Sequence, residues 1–146
     1  DLSKKGILNH DQLIATLENA VRENPKTIFI ACHFANSCSD LSVLGRMFDA
    51  YPNLYADIAA RYGEIAPVPR YTRAFMEKYA SRLVYGTDMG MSPDMYRSTF
   101  RILETEDEHF YDRSNYNYHW PLYGLGLSDD LLKKLYYGNA LKILIL

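Results

Sequence analysis

"RLVYGTDMG", residues Arg82 to Gly90, decides how the rest of the chain is read. Leu83, Val84 and Tyr85 form an unbroken apolar run that Gly86 and Thr87 end, delivering a carboxylate, Asp88. An apolar run bounded by turn residues reads as a strand buried on both faces. A charge beside such a strand is costly unless it is paired, hydrogen-bonded or bound to a metal. Asp88 therefore has two readings: a cap or turn residue ahead of Ser92 and Pro93, or a group that holds a metal or moves a proton.

Working outward, the same design recurs. "TIFIACHF" (27–34) and "LYADIA" (54–59) are further apolar strands, each preceded by a helical pattern. Asp11 to Asn24 places Leu13, Ile14, Leu17, Ala20 and Val21 on one face before Pro25 stops it. Asp40 to Tyr51 does so with Leu41, Leu44, Phe48 and Tyr51, and Pro69 to Ala80 with Ala74, Phe75 and Tyr79. Ser92 and Pro93 read as N-cap and first residue of a helix running to about Glu104. Ser128 caps a last helix with Asp129 and Asp130 in its first turn. Gly138 and Asn139 are expected to break it, before the apolar tail "ALKILIL". Three strand-then-helix units predict an α/β fold with a parallel sheet. Three strands alone leave long apolar edges, so the chain is expected to be part of a larger barrel or sheet, or to pair with another copy.

The composition narrows the function classes. The 146 residues suit one domain. Sixteen basic against eighteen acidic residues give a formal charge of -2, and no basic stripe points to nucleic acid or a membrane surface. No apolar stretch is long enough to span a bilayer. The chain opens on Asp1 without an initiator methionine, which reads as a start partway into a gene product or after removal of a preceding segment. Cys32 and Cys38 make no disulfide framework and read as reduced thiols.

In parallel α/β folds, ligands bind beyond the carboxyl ends of the strands. There the chain presents Cys32-His33-Phe34, then Asp57 leading to Arg61 and Glu64, then Asp88. His33, Arg61, Glu64 and Asp88 are thus candidates to converge on one pocket. Each also has a plainer reading: His33 as a satisfied structural histidine, and Arg61 with Glu64 as a rim salt bridge. Zinc on Cys32, His33 and Cys38 is disfavoured, because a fourth ligand is missing and strand neighbours point to opposite faces. The run Glu104, Glu106, Asp107, Glu108 reads as a solvated helix end. Residues 105–127 are long, aromatic and polar, more like a functional loop than a connector. Tyr116, Tyr118, His119, Trp120 and Tyr123 either line a pocket for a ring or pack against the body, and packing is the preferred reading.

The series "HF" after an apolar strand, "YPNLYADIAARYGE", "RLVYGTDMG", "FRILETEDEHFYD" and "YGLGLSDDLLKKLYYGNALKIL" resembles the amidohydrolase-related family of the amidohydrolase superfamily. The resemblance runs from about residue 25 to the end. It implies the C-terminal portion, about strands six to eight with their helices, of a metal-dependent (β/α)8 TIM barrel. Residues 1–146 would then be one piece of a single domain whose N-terminal strands are absent from the chain. It implies that Asp88, closing the eighth strand, binds a divalent metal, most simply zinc, and takes a proton from its water. It places His33 at the end of the sixth strand, where it ligates a second metal or orients the reacting group, and Arg61 and Glu64 at substrate-side or rim-structural positions. Zinc lowers the pKa of bound water to about 7 and polarises a carbonyl. The implied activity is hydrolysis of a small-molecule substrate such as a lactone or amide.

Two alternatives stand beside it: a decarboxylase on the same metal site, and a non-catalytic fragment or interaction module. The last gains from a departure, since the family's metal site also needs a His-x-His pair on the first strand and usually a fifth-strand ligand. His10, His33, His109 and His119 supply no such pair, and His10 precedes a helix. The chain alone is expected to be inactive, its implied partner being the missing N-terminal half or a second copy.

Overall fold

The computed structural model describes residues 6–116 and 118–144. Asn9 opens α1 (His10–Glu23) with a capping box: it accepts from the Gln12 amide at 2.9 Å, and the Gln12 side chain accepts from the Asn9 amide at 2.9 Å. β1 (Phe29–Ala31) follows, then α2 (Leu41–Ala50), capped by Asp40. Next come β2 (Leu54–Asp57), the short α3 (Tyr62–Ile65), α4 (Pro69–Lys78) and β3 (Leu83–Val84). α5 (Pro93–Glu104) begins as its sequence predicts, with Ser92 accepting from the Met95 amide at 3.2 Å. α6 (Asp129–Lys133), a π-helical turn (Lys134–Gly138) and α7 (Asn139–Leu144) complete the order.

The three strands form one parallel sheet in the order β1-β2-β3, with Ile30 opposite Tyr55 and Asp57 opposite Val84. The α/β expectation is met. α2 and α4 contribute Leu44, Met47, Phe48, Phe75 and Met76 to a core that also takes Leu54, Ala56, Ile58 and Leu83 from the sheet. α5 contributes Ile102 and Leu103, against Leu122, Leu125, Leu127, Leu131 and Leu135 from the chain that follows. Residues 105–127 return along the end of α5 through Leu125 N–H to Ile102 O at 2.7 Å and Leu127 N–H to Leu103 O at 3.0 Å. Phe110 and Leu122 exchange two backbone bonds within it, so it is a tethered excursion.

Three expectations are corrected. The first strand ends at Ala31 and does not reach Phe34, because His33, Phe34, Ala35 and Asn36 turn with φ between 52° and 60°. Left-handed backbone costs an L-residue about 1–2 kcal/mol, so this turn persists only because buried Phe34 and the bonds described below hold it. Gly138 and Asn139 do not break the last helix. The wide turn continues through them, and buried Asn139 donates its side-chain amide to Ala80 O at 2.8 Å and Leu83 O at 2.6 Å. The same turn leaves the Leu135 carbonyl to accept from the Tyr85 amide at 2.9 Å, which covers the β3 side of the sheet. The strands are also short, two to four residues each, so the long apolar edges expected are absent among the described residues, although Ile28 and Ile30 of the β1 segment are exposed. Ile145 and Leu146 of the apolar tail lie outside the described residues.

Candidate active site at the strand ends

The carboxyl ends of the strands bring His33 and Asp88 together. Asp57, the last residue of β2, accepts from the His33 amide at 2.7 Å and from the Ala59 amide at 3.0 Å through one oxygen, Oδ1. That pins the left-handed turn at its first residue. The His33 ring then lies so that Nδ1 meets the Ala59 carbonyl at 2.9 Å. A carbonyl only accepts, so Nδ1 is the donor in this contact and Nε2 is the ring nitrogen left to face outward. Nε2 stands 3.6 Å from Asp88 Oδ2. Asp88 has φ 52°, and its side chain is 62 % exposed, so the carboxylate is open to solvent on the side away from His33.

Arg61 and Glu64 make a second pair, at 3.1 Å. The rim salt bridge that the spacing suggested is present. Arg61 also donates to the Asn36 side-chain oxygen, which ties the pair to the far end of the turn that begins at His33. Arg61 Nε and Glu64 Oε2 are buried with no hydrogen-bond partner among the described residues. The four candidates thus form two pairs, which the turn 32–36 joins.

The aromatic loop reaches the second pair. Tyr116, Tyr118 and Trp120 stack in series, Tyr118 against Trp120 at 4.5 Å and Tyr116 against Tyr118 at 6.0 Å. Trp120 donates from Nε1 to the Gly63 carbonyl at 3.0 Å. Burial pushes the Tyr118 phenol up, Glu64 adds to this and Arg61 opposes it, so the ring lies beside that pair. Packing against the body, the preferred reading, describes these three rings. His109 instead packs edge-on to Tyr111 and Tyr123.

His33 and Asp88 fit a divalent metal as part of a ligand set. They offer an imidazole lone pair and a carboxylate oxygen near the spacing of two tetrahedral ligands, about 3.3 Å for bonds of about 2 Å. Among the described residues no group of three or more His, Cys, Asp or Glu side chains is placed to hold a metal. Cys32 and Cys38 are free thiols. The Asp57 carboxylate beside Cys32 pushes that thiol up, with burial adding to it. The residue that spacing overlooked is Asp57: its place at a strand end was visible, but its hold on the His33 backbone is a tertiary fact.

A family model described as amidohydrolase matches residues 10–146. A crystal structure of an amidohydrolase from Burkholderia multivorans, with HEPES bound, is similar with a TM-score of 0.56 at 12% identity. The match covers 96% of this chain and 52% of that one, so the chain spans about half the length of that structure. At such identity the likeness carries the fold alone. No curated protein matches the sequence.

Proposed function

This chain belongs to the amidohydrolase family, and on that premise we propose that it is the C-terminal portion of a TIM-barrel metal-dependent hydrolase of small carbonyl substrates. The observation that carries the reading is the His33 ring, held by Nδ1 on the Ala59 carbonyl with Nε2 facing Asp88 Oδ2 at 3.6 Å above the strand ends. Members of the family generally use divalent metals, and His33 Nε2 and Asp88 would hold one here, with zinc the simplest choice for a nitrogen-and-carboxylate set. Such an ion supplies Lewis acidity toward water and toward a substrate carbonyl.

The chain's own residues then have defined parts. Asp88, on its exposed side, accepts a proton at a carboxylate oxygen and returns it to the leaving group. Asp57 and the Ala59 carbonyl orient His33, so that Nε2 stays available. Arg61, held by Glu64 and Asn36 beside the aromatic loop, orients a polar group of the substrate from its exposed part. The remaining ligands come from the preceding barrel strands, which this reading places on the open side of β1. A hollow of about 350 Å³ lies there, lined by Leu13, Leu17, Ile30 and Cys32 among others.

The test is metal binding by the chain, followed by zinc equilibrium dialysis on His33→Ala and Asp88→Asn. Weak binding to the native chain, lost in both variants, is expected. Binding unchanged in both variants would remove the reading. In the whole gene product, formation of a new carboxylate without carbon dioxide release is expected from a lactone or amide, while carbon dioxide release would move it to the lyases.

A further inference from the structure

Tyr62 belongs to neither pair above, yet it grips the segment that carries Asp88. Its side chain is fully buried in α3, edge-on to the Tyr85 ring at 6.5 Å, and its hydroxyl donates to the Gly86 carbonyl at 2.7 Å. Burial pushes the phenol far above its ordinary range, so the hydroxyl keeps its proton. Two residues earlier, the Ala60 amide donates to the Thr87 carbonyl at 3.0 Å. The carbonyls of the two residues before Asp88 are thus both held from the stretch 60–62. Asp88 itself stands at φ 52°, a region that a non-glycine residue keeps only where its surroundings over-determine it.

The next residue, Gly63, is held from the other side. A Cβ there would fall 1.8 Å from Tyr118 Cε2, so only glycine admits the ring, and Trp120 bonds the Gly63 carbonyl at 3.0 Å. Adjacent residues of one short helix therefore meet the Asp88 turn and the aromatic loop.

We propose that Tyr62 is a positioning residue, which through Gly86 holds Asp88 in its left-handed conformation facing His33, and that the Tyr118–Trp120 clamp on Gly63 steadies the same hold. The proposal rests on the reading of Asp88 as a site residue. It adds a physical route by which the loop acts on that residue without touching it.

Residue-resolved amide exchange of the full chain tests it, because the Ala60 amide reports the lock directly. The Phe29 amide, which donates to Asn53 at 2.9 Å across the sheet, reports global opening. In the native chain both amides are expected to be protected. In Tyr62→Phe, Ala60 is expected to exchange about tenfold faster relative to Phe29, as for one lost buried bond. The Asp88 backbone chemical shifts, which report φ, are expected to leave their left-handed values in the same variant. Trp120→Phe is expected to move Ala60 the same way by less, and to add nothing in the Tyr62→Phe background. Exchange of Ala60 that keeps its ratio to Phe29 in Tyr62→Phe, with Asp88 shifts unchanged, would overturn the positioning role. Additive effects of the two substitutions would overturn the loop's part. Should Tyr62→Phe not fold, Trp120→Phe decides: a faster Ala60 relative to Phe29 supports the hold through α3, and an unchanged ratio overturns it. Asp88→Asn keeps a residue type that tolerates the left-handed region, so it leaves Ala60 protected. Its effect on zinc binding judges the reading of Asp88 separately.

Discussion

Asp57 Oδ1 accepts the His33 amide at 2.7 Å, and this one bond sets the direction from which the imidazole approaches Asp88. The same oxygen holds the Ala59 amide at 3.0 Å, and the Ala59 carbonyl in turn receives His33 Nδ1 at 2.9 Å. A closed circuit thus runs from β2 to the turn after β1 and back, with Nε2 as its outward-facing atom.

Asp57→Ala is expected to orphan two partly buried amides at once and to release a turn that already sits in left-handed backbone. The expected loss is about 2–3 kcal/mol in urea unfolding. Asp57→Asn keeps an accepting oxygen and is expected to lose less than half as much. Equal losses in the two variants would show that the charge, not the acceptor, does the holding.

Arg82 is the counterpart at the other end of the sheet. Its guanidinium donates to Leu54 O at 2.8 Å, to Phe48 O at 3.3 Å and to Tyr51 O, and lies over the Phe48 and Tyr55 rings at 5.2 and 5.3 Å. It thereby ties the end of α2, at Phe48 and Tyr51, to the start of β2 at Leu54. Arg82→Ala is expected to cost about 2–3 kcal/mol. Arg82→Lys is expected to restore only part of it, since an ammonium lacks the planar fork. Thermal unfolding of the two variants decides.

Glu18 sets an acid limb for stability. Arg46 meets its carboxylate at 2.7 and 3.0 Å and Tyr51 at 3.0 Å, and the Arg46 bond above all holds its pKa below the ordinary carboxylate value. Because the folded value lies below the unfolded one, the contribution is complete above the unfolded pKa. It is lost as pH falls through the folded value. With Arg46 mostly exposed, the contribution is less than about 1 kcal/mol. Glu18→Gln is expected to flatten the stability–pH curve on the acid side and leave it parallel to the native curve above pH 6.

The two thiols are expected to label in sequence. Burial first, and Glu64 after it, pushes Cys38 up to about 12, so at pH 8 it is protonated and shielded. Cys32 is exposed and is raised mainly by Asp57. A thiol reagent at pH 8 is expected to modify Cys32 in the folded chain and Cys38 only on unfolding. Asp57→Asn is expected to speed Cys32. Mass-resolved labelling, peptide by peptide, checks the order.

The sequence by itself determined the periodic parts. Apolar runs at 28–31, 54–56 and 83–85 and the helical faces between them point to a parallel sheet, because strands of such a sheet read as apolar runs and not as polar alternation. Ser92, Pro93 and Ser128 announced their helices because a cap is a local bond, complete within three or four residues. Arg61 and Glu64 were legible for the same reason, lying one helical turn apart. The resemblance to amidohydrolases is carried by runs of adjacent residues, which is why it is legible in the sequence.

What only the tertiary structure decided is where those residues stand. Nothing in "CHFAN" signals four left-handed residues, since no glycine is present and the strain is offset from elsewhere, by Asp57 and Arg61. Asn139 looked like a helix breaker because its usual preference is local, but buried here its amide bonds two carbonyls of another element. Tyr62 carries no local signal of its role, because its hydroxyl bonds Gly86, a residue of another element. In each case the deciding bond joins segments distant in the chain. Its strength comes from burial that the completed fold alone provides, so local propensity carries no trace of it.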